Sequence, residues 1–305
     1  MFKLYRLRDF NALISDSFSF FKYHGKNYFK NYFIINGGIL VVIALLTYLV
    51  TNVIFTSIGD FNSPGAQEMI LNYFEDNVWY FISVGGLILL LLITLSLLNY
   101  SYPILYLKTL QDKQEPTVKD ILTLLKSKAG KIILFPIASL ISFIPLFTII
   151  ALISAFFVVT IIGIPVACII IVAMGSWISL SFYDNITTNN GFFTSFSQGI
   201  TILKNNFWAN IGVSLIIGIV VFCIDLFFSA IPELLGSFTL LDETTDTSSI
   251  SVILTIIGTT ISVFVSYLLT NLTVISQGMI YYSYEESIHN RSLDSEIDLI
   301  GGERE

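Results

Sequence analysis

Apolar residues run through this chain in long uninterrupted stretches. The longest, residues 132–183, holds 52 residues without an Asp, Glu, Lys or Arg. A helix rises about 1.5 Å per residue, so one helix of that length would measure roughly 78 Å. The hydrocarbon core of a bilayer is about 30 Å thick. The run must therefore cross, turn and cross back. Thr160, Gly163 and Pro165 are the helix-weakening residues near its middle and place the turn at 158–165. Lys131 and Asp184 bound the run, so both ends emerge on one side.

The same reading along the chain gives six crossings: residues 33–58, 78–108, 131–157, 161–183, 207–231 and 250–283. The expected fold is all-α, a six-transmembrane helical bundle occupying residues 1–288. The helical pattern of the second crossing continues to about Gln111 with Pro103 as a kink, and that of the sixth to about Ser287. Both of these ends are expected to project. Pro136 and Pro145 predict a bend in the third crossing. Gly258, Ser262 and Ser266 recur every four residues and offer a small-residue face for close helix packing. The polar, acidic tail at 289–305 is expected to be disordered.

Three shorter stripes carry apolar residues at helical spacing. Phe10, Ile14, Phe18 and Phe21 form the first, ended by His24-Gly25. Val118, Ile121, Leu122 and Leu125 form the second; Phe193, Phe196, Ile200 and Leu203 form the third. Each precedes an outward crossing and reads as an amphipathic helix on the cytoplasmic-side interface. Ser63-Pro64 is a further helix-start signal, followed by an apolar face of Met69, Ile70 and Phe74 for the outer surface.

Interfacial helix, outward crossing and inward crossing recur three times in that order. The inward crossings end alike, at Asn99-Tyr100-Ser101-Tyr102, Leu180-Ser181-Phe182-Tyr183 and Tyr282-Ser283-Tyr284. Two outward crossings begin alike, at Lys30-Asn31-Tyr32-Phe33 and Lys204-Asn205-Asn206-Phe207, and Lys131 opens the third. The motifs fit a threefold internal repeat of parallel units. They equally fit the general enrichment of aromatics and lysines at membrane interfaces.

Composition agrees with a membrane domain. The chain is 54% hydrophobic and 12% charged, with mean hydropathy +0.80; soluble domains carry about 25% charged residues. Net charge is −7, but its distribution says more. On the six-crossing map all 15 Lys and Arg lie on one side with 13 acidic residues. Eight acidic residues lie on the other side, and Asp225 sits within a crossing. The positive-inside rule then puts the basic side, with both termini, in the cytoplasm. Residues 1–30 are basic and amphipathic and lead into a full-length span, so no cleavable signal is expected.

An amphipathic helix ending in Lys and Phe or Trp, followed by a Gly-containing apolar span, resembles uncharacterised bacterial multi-pass membrane families. Among them is the membrane domain fused to some glycerophosphodiester phosphodiesterases. The likeness is carried by residues 192–221 and, more loosely, 9–42. It implies a bacterial cytoplasmic (inner) membrane location. The soluble phosphodiesterase domain has no counterpart here, so the resemblance implies no hydrolase activity and assigns no functional residue.

Candidate chemistry is sparse. Asp225 is the one formal charge within a crossing, and such residues mark either a structural contact or a proton, cation or substrate site. Asn99, Tyr100, Asn210, Asn271 and Gln277, with Tyr102 and Tyr281, lie near the cytoplasmic ends of crossings 2, 5 and 6. They would line a polar cavity or hydrogen-bond the helices together. The two His and two Cys, with Cys168 and Cys223 inside apolar segments, suggest neither a zinc site nor a disulfide framework. No P-loop, Ser/His/acid trio, cofactor motif or nucleic-acid face is visible.

The cytoplasmic segments before Glu285 carry 13 basic and six acidic residues, which points to membrane lipids, anionic ones included, as partners. The expected function is a non-enzymatic structural or accessory subunit that organises lipids or other membrane proteins. The alternative is a carrier or flippase for a lipid-like or small substrate.

Overall fold

The computed structural model describes residues 2–58, 66–158, 163–239 and 247–290. Among them are eight helices and no strand: α1 (Phe10–Ile58), α2 (Ala66–Asp76), α3 (Val78–Asp112), α4 (Val118–Val158), α5 (Gly163–Thr187), α6 (Phe192–Asn205), α7 (Phe207–Thr239) and α8 (Thr247–His289). Among the described residues, five helical stretches are long and apolar enough to cross a membrane: Phe10–Leu46, Val78–Asp112, Gly163–Thr187, Phe207–Ile231 and Ile257–His289. In the apolar window of α3, 6% of the residues are buried by protein. So much apolar surface is stable against lipid and unfavourable against water. The chain is a multi-pass integral membrane protein.

The crossing expected at 131–157 falls on α4, and much of that stretch lies outside the described side chains. The turn expected at 158–165 includes residues 159–162, which lie outside the described residues, as do 59–65 with Ser63-Pro64, 240–246 and the tail from 291. Cys168 and Cys223 are exposed on their helices rather than packed within the protein.

The chain divides into two compact units. Unit 1 comprises Met1–Asn31, Tyr100–Val221 and Thr270–Glu305; unit 2 comprises Tyr32–Asn99 and Phe222–Leu269. The division follows charge, because every described Lys and Arg belongs to unit 1.

Helix α1 departs from the sequence expectation. It runs through His24-Gly25 without a break. One glycine costs a helix about 1 kcal/mol relative to alanine, and burial on both sides of Gly25 offsets that. Phe20 and Tyr28, five residues before and three after, are both fully buried. The buried face of α1 in unit 1 is Leu13, Ser17, Phe20 and Tyr28. The Phe10, Ile14, Phe18 and Phe21 stripe lies one residue off this face and stays partly exposed. Asp9 opens the helix by accepting the Ala12 N–H at 2.8 Å.

Helices α3 and α8 run on to Asp112 and His289, as their patterns predict, and these ends pack within the protein. Residues 101–107 of α3 and most of 271–282 of α8 are buried and form the core of unit 1. Pro103 lies inside α3 and does not end it.

In unit 2, α8 packs on α7 through the small-residue face. Ser262 Oγ donates to the Phe228 carbonyl at 2.6 Å, and Gly258 is buried. In unit 1, α5 packs against α4 and α6. The α6 face turned to α5 is small: Ser195 and Gly199 are buried there, and Trp177 Nε1 donates to the Phe196 carbonyl at 2.9 Å.

Helix α4 starts from a capping box. Asp120 Oδ2 accepts both the Thr117 N–H at 3.1 Å and the Thr117 hydroxyl at 2.7 Å, and Thr117 Oγ1 accepts the Asp120 N–H at 3.3 Å. Lys113 Nζ donates to Asp120 Oδ1 at 2.7 Å. Hydrogen bonds from Lys113 and Thr117 lower the Asp120 pKa from 3.8 to about 2. A carboxylate with a depressed folded-state pKa stabilises the fold above its unfolded value, and that support is lost as pH falls through the folded value. Amide protection at residues 117–121 is therefore expected to hold at pH 5 and to fall between about pH 4 and about pH 2. Hydrogen exchange corrected for intrinsic rates checks this, with Asp120→Asn unprotected across the range.

Candidate functional site

The core of unit 1 is built from tyrosines. Tyr28 on α1 meets Tyr102 and Tyr106 on α3, each with ring centroids 4.9 Å apart, and Phe20 packs edge-on to Tyr28 at 5.4 Å. Spacing of four places Tyr102 and Tyr106 on one face of α3. A buried phenol needs a partner for its hydroxyl, and each has one. Tyr28 donates to Asn271 Oδ1 at 2.6 Å, Tyr102 to the Tyr28 carbonyl at 2.5 Å, and Tyr106 to Asn27 Oδ1 at 2.9 Å.

A second group joins α3, α5 and α8. Tyr183 donates to the Val274 carbonyl at 2.7 Å, Thr187 to Tyr281 Oη at 2.8 Å, and Gln111 to Tyr282 Oη at 2.7 Å. Gly278 permits the approach: a Cβ there would lie 2.5 Å from both Leu107 Cδ1 and Tyr183 Oη.

Three lysines converge on the carboxyl end of α5. Lys108 Nζ donates to the Thr187 carbonyl at 2.6 Å, and Lys128 Nζ to the Thr188 carbonyl at 3.2 Å. Lys131 Nζ donates to the carbonyls of Asn185, Thr188 and Asn190 at 3.0, 3.1 and 2.8 Å. Cations suit this position, because the last carbonyls of a helix lack intrahelical partners and carry its negative dipole end.

The polar residues singled out in the sequence occupy separate places. Asn271 bonds Tyr28 in unit 1. Asn99 lies in unit 2, where its Oδ1 accepts from Tyr32 Oη at 2.8 Å and its Nδ2 donates to the Tyr267 carbonyl at 3.2 Å. Gln277 Nε2 donates to Ser214 Oγ at 2.8 Å, with Ser176 beside it. Asn210 Nδ2 donates to the Ile202 and Leu203 carbonyls at 3.3 and 3.2 Å. Tyr100 is exposed, and Asp225 is half-buried on α7 in unit 2. All four amides are buried and engaged in helix-to-helix or loop-closing bonds.

Three residues of α1 were not among the candidates read from the sequence: Tyr28 and Tyr32 are fully buried, and so is Asn36, with neither of its amide atoms hydrogen-bonded. The available signal was spacing, since Tyr28, Tyr32 and Asn36 follow one another every four residues.

A cavity of about 500 Å³ opens in unit 1. Arg6, Leu7, Arg8 and Asp9 line it from the segment before α1, and Ala12 and Leu13 from α1 itself. Asn205, Asn206 and Asn210 line it from the α6–α7 junction, and Ser283, Tyr284 and Ser287 from α8. Arg8 fixes this wall. Its Nε donates to Asp16 Oδ2 at 2.8 Å, its Nη2 to the Lys3 carbonyl at 2.7 Å, and its Nη1 to the Leu4 carbonyl at 2.9 Å. Its backbone N–H donates to Ser283 Oγ on α8 at 3.0 Å. Burial lowers the Arg8 pKa, opposed by the hydrogen bond and charge of Asp16. A second cavity of about 610 Å³ shares Asn205 and Tyr284 and adds Lys204 and Ile288.

Among the described residues, no group of three His, Cys, Asp or Glu side chains is placed to hold a metal ion. Compared with protein-family models, curated proteins and solved structures, the chain matches none.

Proposed function

We propose that this chain is a non-catalytic subunit of the bacterial cytoplasmic membrane that organises lipids or partner proteins, its lysine-rich unit on the cytoplasmic side. The supporting observation is how the buried polar groups are used. Tyr28, Tyr102, Tyr106, Tyr183, Asn271 and Gln277 bond helices to one another, which suits a rigid platform better than a solvated passage. Interhelical bonds in membranes contribute about 0.6 kcal/mol each on average, so it is their number that matters here.

The carrier reading has one observation in its favour: in unit 2, Asn36 is buried without a hydrogen-bond partner and Asp225 is half-buried. Reconstitution into vesicles carrying a fluorescent phospholipid in both leaflets decides between the two. With dithionite added outside, the platform reading expects bleaching to stop at the outer leaflet, as in protein-free vesicles. Bleaching of the inner leaflet, abolished by Asp225→Asn, would replace it with the carrier. Orientation is tested separately by a reporter active only outside the cytoplasm, fused at position 115 or 190, which should stay dark.

A further inference from the structure

The platform reading names neither the lipid nor its seat. We propose that the cavity at the α6–α7 junction, with its neighbour at Lys204, holds the phosphate-bearing headgroup of an anionic phospholipid; this rests on the platform reading.

Charge comes first. Arg6 and Lys204 contribute exposed cations to the two adjoining cavities. Arg6 stands 3.7 Å from Asp16, but Asp16 is held more closely by Arg8 at 2.8 Å. The carboxylate in the wall, Asp9, already uses Oδ1 to cap α1. Neutral donors come next. Ser283 Oγ accepts from the Arg8 N–H and Tyr284 Oη accepts from Gln198 Nε2 at 3.2 Å, so each hydroxyl keeps its own proton for a ligand oxygen. The amino end of α7 borders the site: Asn206 lines the cavity and its carbonyl accepts the Asn210 N–H at 2.9 Å, the first turn of the helix.

Size and surroundings select a lipid over a free phosphate. About 500 Å³ suits a headgroup and is too small for a whole lipid. Leu7 on the first cavity and Ile288 on the second are 62% and 53% exposed, giving acyl chains an apolar path away from the phosphate.

The test titrates the full chain in mild detergent with phosphatidylglycerol, phosphatidylcholine or soluble glycerol phosphate, and reads bound lipid by native mass spectrometry. The variant is Arg6→Gln with Lys204→Gln. Both positions are exposed, and melting curves verify that the fold is kept. The control is Lys119→Gln with Lys126→Gln, exposed lysines that do not line either cavity. Phosphatidylglycerol should bind more tightly than phosphatidylcholine. Losing two basic residues should weaken it about 30-fold, with the control within about threefold of the parent.

Equal affinity in variant and parent, or equal binding of the two lipids, overturns the site. Competition by glycerol phosphate as effective as by the lipid overturns the lipid assignment in favour of a soluble phosphate. Phospholipid translocation in the vesicle assay would instead overturn the platform reading while this selectivity remained, so the two failures are separable.

Discussion

Gly199→Ala is expected to separate α6 from α5 and lower the melting temperature sharply. A Cβ at this position would collide with Ser181 Oγ and lie 2.9 Å from the Ser181 backbone nitrogen and 3.0 Å from the Trp177 carbonyl oxygen. The hydroxyl can rotate away, but the backbone atoms cannot, because they belong to the middle of α5. The helix must move instead, at a cost of about 1–3 kcal/mol for overpacking. The movement also stretches the bond from Trp177 Nε1 to the Phe196 carbonyl, so Trp177 fluorescence reports it directly. Adding Ser181→Ala should restore only part of the loss, since the backbone contacts remain. Gly175→Ala and Gly218→Ala, where nothing lies within 4 Å, should leave the melting curve unchanged or raise it slightly. Equal effects at positions 199 and 175 would count against close α5–α6 packing.

Arg8→Ala should be comparably damaging. The Arg8 side chain is fully buried and joins Asp16 to the carbonyls of Lys3, Leu4 and Arg6. Removing one partner of a buried ion pair costs about 3 kcal/mol or more, here moderated because Asp16 keeps some access to water. Arg8→Lys should recover little, because a single ammonium cannot reproduce the planar fork that meets several acceptors at once. The expected readouts are a lower melting temperature and loss of hydrogen-exchange protection at the segment preceding α1. Tyr5, which packs edge-on to Tyr282 at 5.3 Å, should become accessible with it.

Much of this architecture was legible from hydrophobic runs alone. The bounds of α3 and α6 and the start of α7 follow the pattern closely, because polar or helix-weakening residues mark them: Asp112, Gly191, Asn206. The small-residue face at Gly258 and Ser262 was also readable, since small side chains every four residues have few other uses in lipid. What escaped the sequence depends on tertiary partners. The continuity of α1 past Gly25 rests on Phe20 and Tyr28 being held by α3, which local propensity does not contain. Which face of α1 is buried in protein escaped for the same reason: Phe and Tyr suit a lipid interface as well as a protein core. Asn99, Asn210, Asn271 and Gln277 were visible as polar residues in apolar context, but their separate partners were not.

The lysines on the end of α5 bear on how membrane orientation can be probed. Stripping positive charge from one flank is the usual way to invert a multi-pass chain. At Lys108, Lys128 and Lys131 that manipulation would also uncap five carbonyl groups. A misfolded product could then be mistaken for an inverted one. Insertion experiments are cleaner at Lys22, Lys26 and Lys30, and amine-acylating reagents should label Lys131 last.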